Sequence, residues 1–153
     1  LFPYTTLFRS GICVGNAEIV GILRKLKSNI DYGMFLPIQK AAIAALTQDQ
    51  SIVKETRDTY QRRRNRIVAG AAAAGWHIAS CKSTMFLWAQ IPEGFGSSEE
   101  FALNLLKCSG MLVTPGSSFG AYGEGFVRIA LVQSDEVIEQ ALQALKESRF
   151  FLK

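Results

Sequence analysis

The most informative part of the sequence is the run Thr114-Pro-Gly-Ser-Ser-Phe-Gly120, followed after a glycine-rich turn by Phe126-Val-Arg-Ile-Ala-Leu131. The second segment alternates as a β-strand does, with apolar side chains on one face and Arg128 on the other. A guanidinium in a largely apolar strand needs an anion, and its planar fork of donors fits a carboxylate. We expect Arg128 to bind a small carboxylic acid or, alternatively, to form an internal salt bridge with Glu124 or Glu136.

Composition indicates an ordinary globular protein. The chain has 153 residues, of which 48% are hydrophobic and 20% charged, with a net charge of +4. The local basic cluster, Arg62 to Arg64 with Arg66, is interpreted as the solvated face of a helix, and no nucleic-acid partner is expected. The longest apolar stretches, at 41–46 and 67–76, are well short of the ~20 residues of a membrane span, so no membrane interaction is expected.

The cysteines and the single histidine do not suggest a metal site. Cys13, Cys81 and Cys108 are an odd number without metal-type spacing, and His77 alone cannot complete a ligand set. Reduced thiols in a cytoplasmic protein are the simplest interpretation.

The first ten residues, Leu1 to Ser10, differ in character from the rest of the chain. They lack the order of a signal peptide and look like translated sequencing-adapter sequence. Residues 1–10 are therefore expected to be a non-native tail.

The next part of the chain predicts one short strand and two helices. Gly11 to Gly15 is expected to form a buried strand, after which Asn16 caps a helix. A polar loop is predicted from Ser28 to Gly33, and Pro37 suits the first turn of the second helix. The apolar stripe of the first helix comprises Ile19, Ile22, Leu23 and Leu26.

A long helix comes next. Thr47 and Gln50 have the spacing of a capping box, and the apolar pattern continues to Ala74, with Gly75 as the stop signal. At 1.5 Å per residue this helix would be roughly 39 Å long, enough to bridge two domains.

The remainder predicts a small α+β layer. Helices are expected to begin after Ser97 and after Ser134, and the strand of Arg128 is expected to pair with the strands around Phe86 and Val113. The aromatic residues Trp76, Trp88 and Phe86 are interpreted as core. The predicted strands are 76–79, 84–91, 111–114 and the one that carries Arg128.

Seven segments in order resemble the C-terminal part of class I/II pyridoxal-phosphate aminotransferases, especially the aspartate, alanine and diaminopimelate group. The resemblance extends from Gly11 to the end of the chain. It is carried by Gly11-Ile-Cys-Val-Gly-Asn16, Lys27-Ser-Asn-Ile-Asp-Tyr-Gly-Met-Phe35, Pro37-Ile-Gln-Lys-Ala-Ala42, Tyr60-Gln-Arg-Arg-Arg64, Ser83-Thr-Met-Phe-Leu-Trp88, Val113-Thr-Pro-Gly-Ser-Ser-Phe-Gly120 and Gly125-Phe-Val-Arg-Ile-Ala-Leu131.

The resemblance implies an α/β protein of fold type I that lacks most of the large-domain sheet. Residues 11–47 would be a remnant of the large cofactor-binding domain. Residues 48–75 would form the long interdomain helix, and 76–153 the small C-terminal α+β domain.

The resemblance also assigns substrate-binding roles. Arg128 matches the family arginine that binds the substrate α-carboxylate. Tyr32 lies in a segment that reaches across the family's dimer, and Ser117 and Phe119 border the substrate pocket. The family's catalytic lysine lies upstream of Gly11, so no catalytic or cofactor-binding residue is assigned, and Arg9 is given no role because it falls in the foreign tail.

The implied function is transfer of an amino group between an amino acid and a 2-oxo acid by a homodimer that uses pyridoxal phosphate. The chain alone is expected to be inactive without the lysine. Two alternatives stay open: another fold type I enzyme, such as a carbon-sulfur lyase or an oxoamine synthase, or the aminotransferase-like sensing domain of a transcription regulator.

Overall fold

The computed structural model describes residues 13–151. The predicted foreign tail and the first two residues of the predicted strand, Gly11 and Ile12, lie outside the described residues. The fold is mixed α/β, as predicted, and it divides into two compact units with the boundary between Ile52 and Val53.

The first unit contains the helices α1, Ala17–Ile30, and α2, Leu36–Thr47. The predicted cap of α1 is confirmed, because the side-chain oxygen of Asn16 accepts hydrogen bonds from the backbone N–H groups of Glu18 and Ile19, at 2.9 and 3.3 Å. Pro37 lies in the first turn of α2, also as predicted, where no intrahelical donor is lost.

Two predictions for this unit are wrong. Residues 13–15 do not form a buried strand, and Val14 is 85% exposed, since the described residues of the unit supply no neighbouring strand. The predicted loop from Ser28 begins later because α1 continues to Ile30. The side chains of Ser28 and Asn29 both donate to the carbonyl of Lys25 at 2.8 Å and so remain compatible with the helix.

The long helix α3 spans Ser51–Ala73, about 35 Å at 1.5 Å per residue. The predicted capping box is wrong: Thr47 is the last residue of α2, and its hydroxyl donates to the carbonyl of Ile43 at 2.8 Å. Asp49 accepts the backbone N–H of Ser51 at 3.1 Å instead, so α3 begins three residues later than predicted. The helix stops before Gly75, as predicted.

The second unit contains a three-stranded antiparallel sheet made of β1, Phe86–Gln90, β2, Thr114–Pro115, and β3, Phe126–Ala130. The order is β1-β3-β2, so the strand of Arg128 is central and pairs with both others, as predicted. Arg128 lies opposite Trp88 on β1 and Thr114 on β2.

Two predicted strands differ from the structure. Residues 76–79 are not in the sheet, although Trp76 and Ile78 are buried; Trp76 is anchored by its indole N–H, which donates to the carbonyl of Gln90 at 3.0 Å. Their alternation therefore reflects packing without strand pairing. The strand predicted at 111–114 begins only at Thr114, and Leu112 is 81% exposed.

The helices α4, Ser98–Ser109, and α5, Asp135–Glu147, begin where the sequence predicts. The Ser97 hydroxyl accepts the N–H of Glu100 at 3.1 Å, and that of Ser134 accepts the N–H of Val137 at 3.4 Å. Both serines therefore act as N-caps, with acidic residues in the favourable first turn.

The core lies between one face of the sheet and the helices. Trp76 is at its centre, with its ring centroid 5.3 Å from those of both Phe101 and Phe151. Trp88, predicted as core, is 41% exposed because it lies on the other face of the sheet. The buried core residues include Ile67, Ala71, Leu87, Ala89, Phe101, Leu105, Val127, Ile129, Leu131, Ile138, Leu142 and Leu145.

The basic cluster of α3 is more than a solvated face. Arg62 and Arg63 both contact the carboxylate of Asp135, at 3.1 and 3.4 Å, and Arg66 contacts Glu139 at 2.9 Å. These ion pairs connect α3 to α5, which corrects the prediction. The two carboxylates offset part of the positive charge of these three arginines within the unit.

Candidate carboxylate-binding site

Arg128 projects from the sheet face opposite the core and packs against two aromatic rings. Its guanidinium carbon lies 4.4 Å from the ring centroid of Phe86 and 4.5 Å from that of Phe119. The residue is half-buried. Aromatic faces attract a cation but accept few of its N–H groups, so the planar donors of the guanidinium remain available.

Within residues 13–151, no carboxylate forms an ion pair with Arg128. The two partners considered from the sequence are engaged elsewhere. Glu124 accepts hydrogen bonds from the backbone N–H and the hydroxyl of Ser98, and the side chain of Ser134 holds the pKa of Glu136 below its usual range. Among the described residues the internal salt bridge is therefore absent, and the positive charge is available to an external anion.

The second aromatic partner of Arg128 comes from the 3-10 turn Gly116–Phe119. Ser117 on this turn donates its backbone N–H to the hydroxyl of Ser98 at 3.3 Å, and the two hydroxyls are also 3.3 Å apart. The fully buried Ser98 thus links the turn to the start of α4. The Ser117 side chain takes part in this link, whereas Phe119 contacts the arginine.

Glu124 completes the link. Its carboxylate accepts the backbone N–H of Ser98 at 2.6 Å and that of Gly125 at 3.0 Å. These hydrogen bonds, first the one from Ser98 and then the one from Gly125, hold the pKa of Glu124 below its usual range. The ionised carboxylate therefore connects the start of α4 to Gly125, the residue before β3. Arg128 lies on β3.

The turn is also fixed by close contact between two backbone segments. A Cβ atom placed on Gly116 would lie 1.9 Å from the carbonyl oxygen of Gly123 and 2.6 Å from that of Phe126. No side chain fits between these segments. The glycines therefore allow the turn of Phe119 to approach the start of the arginine strand.

Tyr32, the fourth predicted site residue, lies in the first unit between α1 and α2. Its side chain is 92% exposed and its φ is 54°, a left-handed conformation that is uncommon for a residue with a side chain. The segment thus presents the tyrosine to solvent. Arg128, Ser117 and Phe119 are grouped in the second unit.

Sequence reasoning missed the roles of four residues at or around this site. Phe86 and Trp88 share the sheet face of Arg128, and the period-two pattern of β1 could have indicated this once its register with β3 was known. The Trp88 ring is 5.7 Å from both Phe119 and Phe126. Glu124 and Ser98 carry no local signal, because they are 26 residues apart.

Other kinds of site are not found in the part of the chain that the structure describes. No group of three or more His, Cys, Asp or Glu residues among residues 13–151 could hold a metal ion. Cys13, Cys81 and Cys108 are free thiols. None of the described helices has both the length and the apolar character that a membrane crossing requires.

Comparison with known proteins identifies the family. Residues 6–145 match the family model of aminotransferase class I and II. The chain belongs to this family, and the resemblance drawn from its sequence is confirmed.

The relatives are aminotransferases that are much longer than this chain. It is 43% identical over 145 residues to the LL-diaminopimelate aminotransferase of Moorella thermoacetica, covering 94% of this chain and 37% of that protein. It is also 43% identical over 141 residues to the glutamate-pyruvate aminotransferase AlaC of Escherichia coli, covering 91% of this chain and 34% of that protein. The chain thus spans little more than a third of their length.

Solved structures agree with the fold. An aminotransferase from Staphylococcus aureus matches 98% of this chain and 40% of its own, with a TM-score of 0.85 and 31% identity. A mutant aspartate aminotransferase of Thermus thermophilus, at 24% identity and a TM-score of 0.82, covers 95% of this chain and 38% of its own and has the same fold. The described chain is therefore part of the fold type I architecture.

Proposed function

We propose that this chain is the substrate-carboxylate-binding part of an enzyme that transfers an amino group between an amino acid and a 2-oxo acid. The observation that supports this proposal is the half-buried guanidinium of Arg128, packed on Phe86 and Phe119 and without a carboxylate partner among the described residues. Both substrates carry a carboxylate beside the reacting carbon. One arginine can therefore orient each of them in turn.

The surrounding residues would act on the substrate through Arg128. A carboxylate in the guanidinium plane forms two parallel charge-assisted hydrogen bonds, which fixes its orientation as well as its position. The rings of Phe86 and Phe119 displace water from the guanidinium and so strengthen these bonds. Ser117 holds the turn that carries Phe119, and exposed Tyr32 would line the pocket of a second subunit in a homodimer.

The family generally depends on pyridoxal phosphate, which stabilises the negative charge that develops at the α-carbon when the proton there is removed. The described lysines do not fit the role of its covalent anchor. Lys27 and Lys54, for example, are exposed on helices, and they form ion pairs with Asp31 and Asp58 respectively. We propose that the parent protein supplies this lysine from another segment.

The two alternative functions lack such support. The two relatives and the Staphylococcus aureus structure described above are named as aminotransferases. No observation on the described residues favours a lyase, a synthase or a ligand sensor. For the parent protein, we propose a cytoplasmic location, in keeping with the free thiols of the described chain.

The test of this proposal is a paired activity measurement. The parent gene is completed from its source DNA, and the purified protein is assayed with amino donors and 2-oxo acids. The completed enzyme is expected to transfer the amino group, whereas the 153-residue chain with added pyridoxal phosphate shows no turnover. A stoichiometric, borohydride-stable adduct on one lysine of the short chain, or a completed enzyme that cleaves carbon-sulfur bonds without transferring amino groups, would contradict it.

A further inference from the structure

A second basic site lies outside the carboxylate-binding site, between the middle of α3 and the loop that precedes β1. The cleft has a volume of about 340 Å³, and its charged lining consists of Arg57, Arg64 and Lys82. Neither a carboxylate nor Arg128 lines it. A cleft with charges of one sign concentrates counter-ions, and this volume suits a small ligand.

Arg64 is the fixed cation of this cleft. Its Nε and Nη2 atoms donate to the side-chain oxygen of Asn65 at 3.1 and 2.8 Å, and Nη1 donates to the carbonyl of Cys81 at 2.8 Å. All these acceptors are neutral. They orient the half-buried guanidinium and leave its charge uncompensated, with two N–H groups still free.

Lys82 is the second uncompensated cation. It forms no ion pair with any residue in the range 13–151. Arg57 contributes less, because its guanidinium already binds Asp58 at 2.8 Å. The cleft therefore presents about two net positive charges to a ligand.

The remaining lining supplies neutral donors. The hydroxyls of Tyr60, Ser83 and Thr84 belong to the same cleft. Thr84 has a φ of 73°, a conformation that a β-branched residue adopts only with strain, so the loop is not a relaxed turn. Two cations with several hydroxyls complement a tetrahedral dianion better than a singly charged carboxylate.

We propose that this cleft binds a phosphate group, carried by inorganic phosphate or by a phosphomonoester. Arg64 and Lys82 neutralise the two charges, and the hydroxyls donate to the remaining oxygens. The site is separate from the substrate carboxylate site, and the proposal does not depend on the proposed enzymatic activity.

The test is a calorimetric titration of the 153-residue chain with inorganic phosphate and, separately, with methyl phosphate, at constant ionic strength. We expect saturable 1:1 binding that Lys82→Gln and Arg64→Gln each weaken at least fivefold. The matched control Lys107→Gln removes the same charge from the end of α4 and should change the affinity less than twofold, as should Arg128→Gln.

The two substitutions in the cleft differ in how much they disturb the folded chain. Arg64→Gln also removes a contact to Cys81, but Lys82→Gln removes no hydrogen bond or ion pair between described residues, so it tests the site even if the first variant is unstable. Binding of both ligands supports a phosphate-group site, and binding of inorganic phosphate alone supports a site for the free ion. Absence of saturable binding, or equal losses in Lys82→Gln and Lys107→Gln, would overturn the proposal.

Discussion

Replacing Gly116 with alanine tests how the aromatic turn is held against Arg128. The added Cβ would lie 1.9 Å from the carbonyl oxygen of Gly123, whereas ordinary contact begins at 3.4 Å, so the backbone must move by about 1.5 Å. Ordinary over-packing costs about 1–3 kcal/mol, and here both blocking atoms belong to the backbone, so we expect at least about 3 kcal/mol. For a unit of this size the melting temperature should fall by roughly 12 °C or more.

The same substitution should also release Phe119 from the arginine. We expect the fluorescence of Trp88, whose ring is 5.7 Å from that of Phe119, to change as the turn moves. Gly21→Ala is the control: its Cβ meets nothing within 4 Å, and alanine favours a helix. A melting temperature of Gly116→Ala within about 3 °C of the unmodified chain would contradict the close approach of Gly116 to the Gly123 carbonyl.

Two further predictions concern the second unit. Leu105→Ala leaves a cavity at a fully buried position and should lower the free energy of unfolding, measured in urea, by about 2–5 kcal/mol. The control Leu112→Ala, at an 81% exposed position, should change it by less than about 0.5 kcal/mol. Equal effects of the two substitutions would contradict the described core. Because the folded-state pKa of Glu124 is lowered, the stability it contributes is present above the ordinary carboxyl pKa and is lost as the pH falls through the lowered value. Glu124→Gln should therefore flatten the acid side of the stability profile, measured by thermal melts from about pH 7 downward. If Glu124→Gln leaves the profile of the unmodified chain unchanged, the carboxylate does not act in this way.

Local rules predicted the parts of the fold that depend on neighbouring residues. Ser97, Ser134 and Asn16 each cap the helix that the sequence assigns to them, because an N-cap needs only a side-chain oxygen two or three residues before the N–H it accepts. The alternation of residues 126–131 likewise places Arg128 on the face away from the core. The N-cap rule failed at Thr47, because its hydroxyl donates to the carbonyl of Ile43 in the preceding helix α2 instead of capping α3.

Long-range partners could not be predicted in this way. The arginines of α3 looked solvated in sequence because their acceptor, Asp135, is more than 70 residues away. Residues 76–79 alternate like a strand, yet they pack beside the sheet without joining it. The role of Glu124 depends on the contact between the start of α4 and the residues before β3, which only the folded chain brings together.

The most direct test of the account is Arg128→Lys in the completed enzyme, with catalytic efficiency and melting temperature measured on the same preparation. Lysine keeps the charge but loses the bidentate fork, so we predict a loss of roughly 2–4 kcal/mol in transition-state stabilisation, about 30- to 1,000-fold in kcat/KM, with little change in melting temperature. Nearly normal kcat/KM together with a large fall in melting temperature would contradict the assignment of Arg128 as the residue that binds the substrate carboxylate.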